Sequence, residues 1–226
     1  MALFVDSSDP KEIKGLFAWG SFSGVTTNPL IIARESPGAD LAEVIREVLT
    51  VSTGDVSVEL TTEGEEEMMA EALGYHAWDP GRVTIKIPLT EVGLRVMHRL
   101  APRGVKTNLT CLMAFNQAYL AALGGATYLS IFSGRIKDMG YDPGPVIETT
   151  RRILEREGLG TRIIVGSIRH LMDVNEAVEA GAHVVTVPPP ILRKMVWHPR
   201  TVETIAEFND AWRKRPSAKP STKKKP

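Results

Sequence analysis

The chain has 226 residues, 43% of them hydrophobic and 24% charged, with 27 basic and 27 acidic side chains. That composition suits a globular protein with a sizeable core and excludes a chain that is disordered throughout. A single cysteine, Cys111, excludes an intrachain disulfide, and no segment approaches the ~18 apolar residues of a membrane-spanning helix.

Zero net charge conceals an asymmetry. Residues 213–226, RKRPSAKPSTKKKP, hold seven Lys or Arg and no acid, which leaves residues 1–212 with a net charge of −7. This Pro-, Ser- and Lys-rich stretch is expected to be a disordered, solvated tail, although such a segment can touch a polyanion. The acidic body argues against a nucleic-acid-binding domain. MALFVDSSDP at the N-terminus has neither the basic start nor the apolar run of a secretory signal, so a cytoplasmic location is expected.

From the N-terminus, LFVD (3–6) reads as a first strand, and Asp9 before Pro10 as a helix N-cap with proline at the first helical position. SGVTT (23–27) is a second strand, followed by helical periodicity in ADLAEVIREVLTV (39–51). DVSVEL (55–60), VTIKI (83–87) and GVKTN (104–108) read as the third, fourth and fifth strands, with helical patterns over 63–76 and 90–100 between them. LMAFNQAYLAALGG (112–125) is helical, TYLSIF (127–132) is a sixth strand, and GPVIETTRRILEREG (144–158) is helical again. TRIIVGS (161–167) is a seventh strand, DVNEAVEAGA (173–182) a helix, and HVVTV (183–187) an eighth strand. Gly124, Gly158 and Gly181 stand where helix C-caps are expected.

Strands alternating with helices imply parallel βαβ units. An open doubly wound sheet and a closed (β/α)8 TIM barrel both fit. Eight strands and a length near the ~250 residues typical of barrels favour the barrel. The first strand is not followed by a G-x-G-x-x-G loop, which weakens a dinucleotide-binding alternative. The expected organisation is one barrel over 1–212, ending in a helix, and the tail over 213–226.

Residues two apart on a strand share a face. Val83, Ile85 and Ile87 therefore face the helices and turn Thr84 and Lys86 into the barrel. The same parity puts Ser57 and Glu59 inside, and gives inward positions to Asp6, Asn108, Ser130, Ser167 and Thr186. Polar residues thus gather at strand C-terminal ends, where barrels place their chemistry. A lysine in such a site loses hydration, which favours the neutral amine that attacks a carbonyl to form an imine. Carboxylates nearby favour the ammonium but can move the protons of imine chemistry.

Other constellations are weaker. The five histidines show no metal-ligand spacing, so no metal is expected. No G-x-S-x-G elbow supports serine hydrolysis. Cys111 follows TNLT near a strand end, which leaves a place near the site open, but a cysteine there is more often a small packing residue. Arg135 and Arg169 follow the sixth and seventh strands, where a guanidinium could grip a phosphate.

GVTTNPLII (24–32) closely resembles the transaldolase signature around the second strand, and IKIPLT (85–90) the lysine motif of that family. GVKTNLTCLMAFNQAYLAALGGATYLS (104–130), GRIKDMGYD, GSIRH and TVPPPIL continue the match in order. The resemblance covers about residues 1–212. It is nearest to the short bacterial and archaeal transaldolases, a group that includes fructose-6-phosphate aldolases.

The resemblance implies a (β/α)8 barrel and a class I mechanism without metal or other cofactor. Lys86 corresponds to the Schiff-base lysine on the fourth strand. Asp6 matches the carboxylate that moves a proton at the C4 hydroxyl, Glu59 the acid/base that works through a water, and Thr110 the threonine that holds this water. Asn28 and Asn108 match sugar-binding asparagines, and Ser130 lies at a substrate-lining position. Ser167 and Arg169 match a substrate- and phosphate-binding pair, and Arg135 the other phosphate arginine. Glu59 and Phe132 stand where the aldolase subgroup carries Gln and Tyr, so both side with transfer. The implied partners are sugar phosphates and further copies of the chain, in pentamers or decamers held partly by the C-terminal helix (201–212). The implied reaction exchanges sedoheptulose 7-phosphate and glyceraldehyde 3-phosphate with fructose 6-phosphate and erythrose 4-phosphate. An aldolase that releases dihydroxyacetone and a silent sugar-phosphate-binding barrel are the alternatives.

Overall fold

The computed structural model describes residues 1–215. These fall into two compact units, one over Met1–Leu192 and one that begins at Arg193.

The first unit opens with β1 (Ala2–Asp6), α1 (Pro10–Phe17), β2 (Phe22–Thr26), α2 (Pro29–Glu35), α3 (Leu41–Val51) and β3 (Asp55–Glu59). Next come α4 (Glu65–His76), β4 (Val83–Pro88), α5 (Glu91–Leu100), a 3-10 turn at Ala101–Arg103, β5 (Thr107–Leu112) and α6 (Phe115–Leu123). They are followed by β6 (Tyr128–Phe132), α7 (Ser133–Asp138), α8 (Gly144–Arg156), β7 (Arg162–Gly166), α9 (Leu171–Glu179), β8 (Val184–Val187) and the first residues of α10 (Pro189–Val196), which runs past the end of the unit at Leu192. The eight strands close into one barrel in sequence order, all neighbours parallel, with β8 paired to β1. This is the expected (β/α)8 architecture.

The fifth strand departs from the sequence reading. It runs over Thr107–Leu112 rather than 104–108. Gly104 adopts a left-handed φ of +69° that closes the 3-10 turn, so the glycine starts a connection and not a strand. The shift carries Thr110 and Cys111 onto the strand. Likewise Gly124 caps α6 in a right-handed conformation, and the left-handed φ of +86° belongs to Gly125. The helices α2, α7 and α10 have 7, 6 and 8 residues, too few for their periodicity to stand out. The expected cap at Asp9 is present, its carboxylate accepting from the backbone N–H of Lys11 at 2.8 Å and Glu12 at 3.4 Å.

Strand parity divides the apolar residues into two clusters. Val56, Val58, Val83, Ile85 and Ile87 join helix residues such as Met69, Ala72, Val96 and Met97 in the main core, between sheet and helices. A smaller cluster, Phe4, Tyr128, Ile164 and Val184, fills the N-terminal end of the barrel interior. Gly24 makes room for it, since a Cβ there would lie 2.5 Å from the Phe4 ring. With that end plugged by apolar side chains, the polar inward residues above it line the C-terminal mouth.

The second unit contains α11 (Pro199–Lys214), which runs two residues beyond the expected end of the body. Val202, Ile205, Phe208 and Trp212 recur on α11 at spacings of three and four and are all exposed. Of the predicted tail, Arg213 and Lys214 belong to this helix, and residues 216–226 lie outside the described residues.

Candidate active site

Lys86 is the centre of the mouth. Its side chain leaves β4 on the inward face and is 3% exposed, in register with Glu59 on β3. A buried ammonium is costly unless it is paired and hydrogen-bonded. Both conditions are met: Nζ lies 2.8 Å from Glu59 Oε2 and donates to the Thr27 carbonyl at 3.1 Å. The Phe132 ring centroid is 5.7 Å from the same nitrogen.

Asp6, at the end of β1, faces the same space. Its Oδ1 accepts a hydrogen bond from Thr26 Oγ1 at 2.6 Å, and Thr26 Oγ1 is also 2.5 Å from Thr186 Oγ1. Burial pushes the Asp6 carboxyl above its ordinary value of 3.8, against the lowering effects of the Thr26 hydrogen bond and of Lys86.

A cavity of about 350 Å³ opens between these groups. Eight of the eleven residues singled out in the sequence line it: Asp6, Asn28, Glu59, Lys86, Ser130, Phe132, Arg135 and Ser167. Asn28 is the N-cap of α2, and its Oδ1 is committed to the Ile31 N–H at 2.9 Å. Its amide NH₂ remains to offer a ligand. Ser167 sits at the end of β7 with a left-handed φ of +59°.

The other three residues are placed differently. Asn108 is fully buried below the cavity; its Nδ2 donates to Ser57 Oγ at 3.2 Å and its Oδ1 accepts from Ser130 Oγ at 2.8 Å. These bonds tie Asn108 to Ser130, which itself lines the cavity. Thr110 is fully buried, and its Oγ1 has no hydrogen-bond partner among the described residues. Arg169 does not line the cavity: both terminal guanidinium nitrogens pair with the Asp138 carboxylate. Of the two arginines expected around one phosphate, Arg135 lines the cavity and Arg169 is engaged by the acid at the end of α7. Gly134 lets α7 approach β7 this closely, since a Cβ there would sit 2.2 Å from the Ser167 carbonyl oxygen.

Cys111 was expected to be a packing residue. It lies exposed at the cavity wall with a φ of +63°. Burial and the Glu59 carboxylate push its thiol above the usual range, which keeps it protonated and a poor nucleophile.

Side chains outside the cavity hold the loops that follow these strands. Glu35 accepts from Ser7 Oγ and Ser8 N–H, both at 2.8 Å, just after Asp6. Glu71 accepts from the backbone and hydroxyls of Thr61 and Thr62 and from Tyr75, just after Glu59. Asp173 takes the N–H groups of Arg169 and His170 at 2.8 Å, just after Ser167. Gln117 does the same for Met113 and Ala114 after β5. Sequence reasoning missed all four, and it gave Thr26 and Thr186 no role in the site. Only the two threonines left a signal, through strand parity.

The chain matches the transaldolase/fructose-6-phosphate aldolase family over residues 3–223. It belongs to that family. A probable transaldolase of Desulforudis audaxviator is 43% identical over 212 residues, covering 94% of this chain and 97% of the relative. A probable transaldolase of Carboxydothermus hydrogenoformans is 42% identical, with 94% and 98% covered. Probable transaldolase 2 of Listeria monocytogenes is 41% identical, with 94% and 96% covered. For a member of the transaldolase/fructose-6-phosphate aldolase family, the lysine, the two carboxylates and the arginine around one cavity form a chemically coherent set. Among the described residues, no group of three His, Cys, Asp or Glu could hold a metal ion. No described helix is long and apolar enough to cross a membrane.

Proposed function

We propose that this chain is a transaldolase, which moves a dihydroxyacetone unit from a ketose phosphate to an aldose phosphate through an imine on Lys86. The observation that carries the reading is a buried lysine whose Nζ lies 2.8 Å from Glu59, in a cavity that Asp6 also lines. Glu59 takes the proton from Nζ, and the freed amine attacks the C2 carbonyl. Water then leaves C2, with Glu59 returning the proton. The orphan Oγ1 of Thr110 supports a role in holding a water for these transfers.

Asp6 removes the C4 hydroxyl proton. As the C3–C4 bond breaks, its electrons pass into the protonated imine, giving an enamine and a free aldose phosphate. The Asn28 NH₂ and Ser130 and Ser167 offer polar contacts to the sugar. Arg135 anchors the phosphate, and remote binding of this kind aligns the reacting carbonyl. Arg169 joins that anchor only as far as Asp138 releases it.

Whether the enamine is passed on or released depends on what can protonate it. Phe132 puts an apolar ring with no O–H beside Lys86. This supports transfer over release of dihydroxyacetone. The expected substrates are those of the pentose phosphate exchange, handled in the cytoplasm. The exposed apolar stripe on α11 supports a homo-oligomer, of which a pentamer or decamer is the expected form.

The test is an assay of fructose 6-phosphate consumption with and without erythrose 4-phosphate. Turnover should require the acceptor, and equal turnover without it would make the chain an aldolase. Glu59→Gln with Phe132→Tyr should lower the ratio of transfer to cleavage by about tenfold, the effect of about 1.4 kcal/mol of barrier. An unchanged ratio would remove these two residues as selectors.

A further inference from the structure

We propose that Thr186 is a positioning residue for this reaction, acting on Asp6 through Thr26, because the two threonine hydroxyls form a chain whose hydrogen-bond direction follows the charge on Asp6. The inference rests on the reading of Asp6 as the acceptor of the C4 hydroxyl proton.

Thr26 Oγ1 lies 2.6 Å from Asp6 Oδ1 and 2.5 Å from Thr186 Oγ1. Each hydroxyl has a single proton to donate, and an ionised carboxylate can only accept. Thr26 must therefore direct its proton at Asp6, and Thr186 must direct its own at Thr26. The chain then points from β8 through β2 to β1, and the outer bond polarises the inner one. Once Asp6 has taken the substrate proton, it can donate in turn, and both hydroxyls can rotate to run the chain the other way. The proton stays on Asp6 throughout. Only the rotors turn, once when C3–C4 breaks and once when the acceptor restores the bond.

The surroundings suit such a device. Thr26 and Thr186 are 2% and 4% exposed, so bulk water does not compete for their protons. They stand on the two strands that flank β1 in the barrel, which fixes their spacing. The Thr186 hydroxyl makes no other hydrogen bond among the described residues. The charged groups around Asp6 are Lys86 from β4 and Arg34 and Glu35 from α2, with Glu59 from β3, Arg135 from α7 and the Cys111 thiol from β5 lining the same cavity. Lys86 and Arg34 favour the carboxylate and Glu35 opposes it. Replacing Thr186 alters none of them.

The experiment measures kcat/KM for cleavage against pH for the wild type and for Thr26→Val, Thr186→Val, Thr186→Ser and the double valine variant. Borohydride labelling of Lys86 with fructose 6-phosphate is run on each. Valine replaces threonine with little change of shape, so folding is preserved. Losing a donor destabilises the carboxylate, so the acid limb moves to higher pH: by about one unit for Thr26→Val and about 0.5 unit for Thr186→Val. Thr186→Ser should restore the wild-type limb. The double variant should match Thr26→Val alone, because Thr186 has no other route to Asp6. An acid limb that Thr186→Val leaves in place, or that shifts further in the double variant, overturns the inference while Lys86 still labels. Failure of the wild type to label at Lys86 overturns the transaldolase reading instead.

Discussion

Lys86→Met is expected to abolish transfer, with turnover reduced at least about 10⁴-fold, about 5.5 kcal/mol of barrier. No other side-chain nitrogen lining the cavity can replace it: that of Arg135 is a delocalised guanidinium and that of Asn28 an amide. The difficulty is to separate lost chemistry from lost structure, since Lys86 is buried and paired. Removing one partner of a fully buried pair costs about 3–5 kcal/mol. The cost should be smaller here, because methionine refills the space and the Glu59 side chain keeps 11% exposure through which water can reach it. The variant should therefore fold, with a modest loss in Tm and a native circular dichroism spectrum. Wild-type-like turnover in a folded Lys86→Met protein would remove the imine from the mechanism.

Asp6→Asn should separate imine formation from carbon–carbon cleavage. Asparagine keeps the shape of aspartate and an oxygen to accept from Thr26, but it cannot take the C4 hydroxyl proton. Loss of a general base typically costs 10²- to 10⁴-fold, so cleavage should fall by about 10³-fold. The imine should still form, because Lys86 and Glu59 are unchanged, and it should accumulate as the intact six-carbon adduct. The sign of the wild-type pH dependence follows from burial. Asp6 must be ionised to act, and its carboxyl titrates above the ordinary 3.8. Activity should then fall on acidification at a higher pH than an exposed aspartate would give, and Asp6→Asn should lose that limb. Stopped-flow measurement of the aldose product, with mass spectrometry of the reduced adduct, checks both outcomes. Equal loss of adduct and cleavage would make Asp6 part of imine formation.

Much of this site was legible in the sequence because a barrel strand alternates strictly. Once VTIKI was read with its isoleucines toward the helices, Lys86 had to point inward, and the same parity delivered Asp6, Glu59 and Thr186. What parity could not supply was depth and pairing. Asn108 shares the inward face with Thr110, yet its hydrogen bonds to Ser57 and Ser130 seal it below the cavity. Arg169 follows its strand as expected, but a neighbouring carboxylate, Asp138, comes from a different βα unit and captures its guanidinium. Cys111 was misjudged for a conformational reason: a left-handed φ in a strand turns a side chain out of the alternation, and nothing in the residue type announces it. The loop-holding acids were illegible for a similar reason. Glu71 reaches back across nine or ten residues to Thr62 and Thr61, a span fixed by the βα turn rather than by any local period.

The most direct measurement is reductive trapping. The protein is incubated with fructose 6-phosphate and borohydride, digested, and mapped by mass spectrometry. The expected product is a polyol attached to Nζ of Lys86, of six carbons where the ketose imine is reduced and of three where the enamine has been protonated to its imine, and absent from Lys86→Met. An unlabelled Lys86 in an active preparation, or label on a different lysine, would contradict the proposed imine.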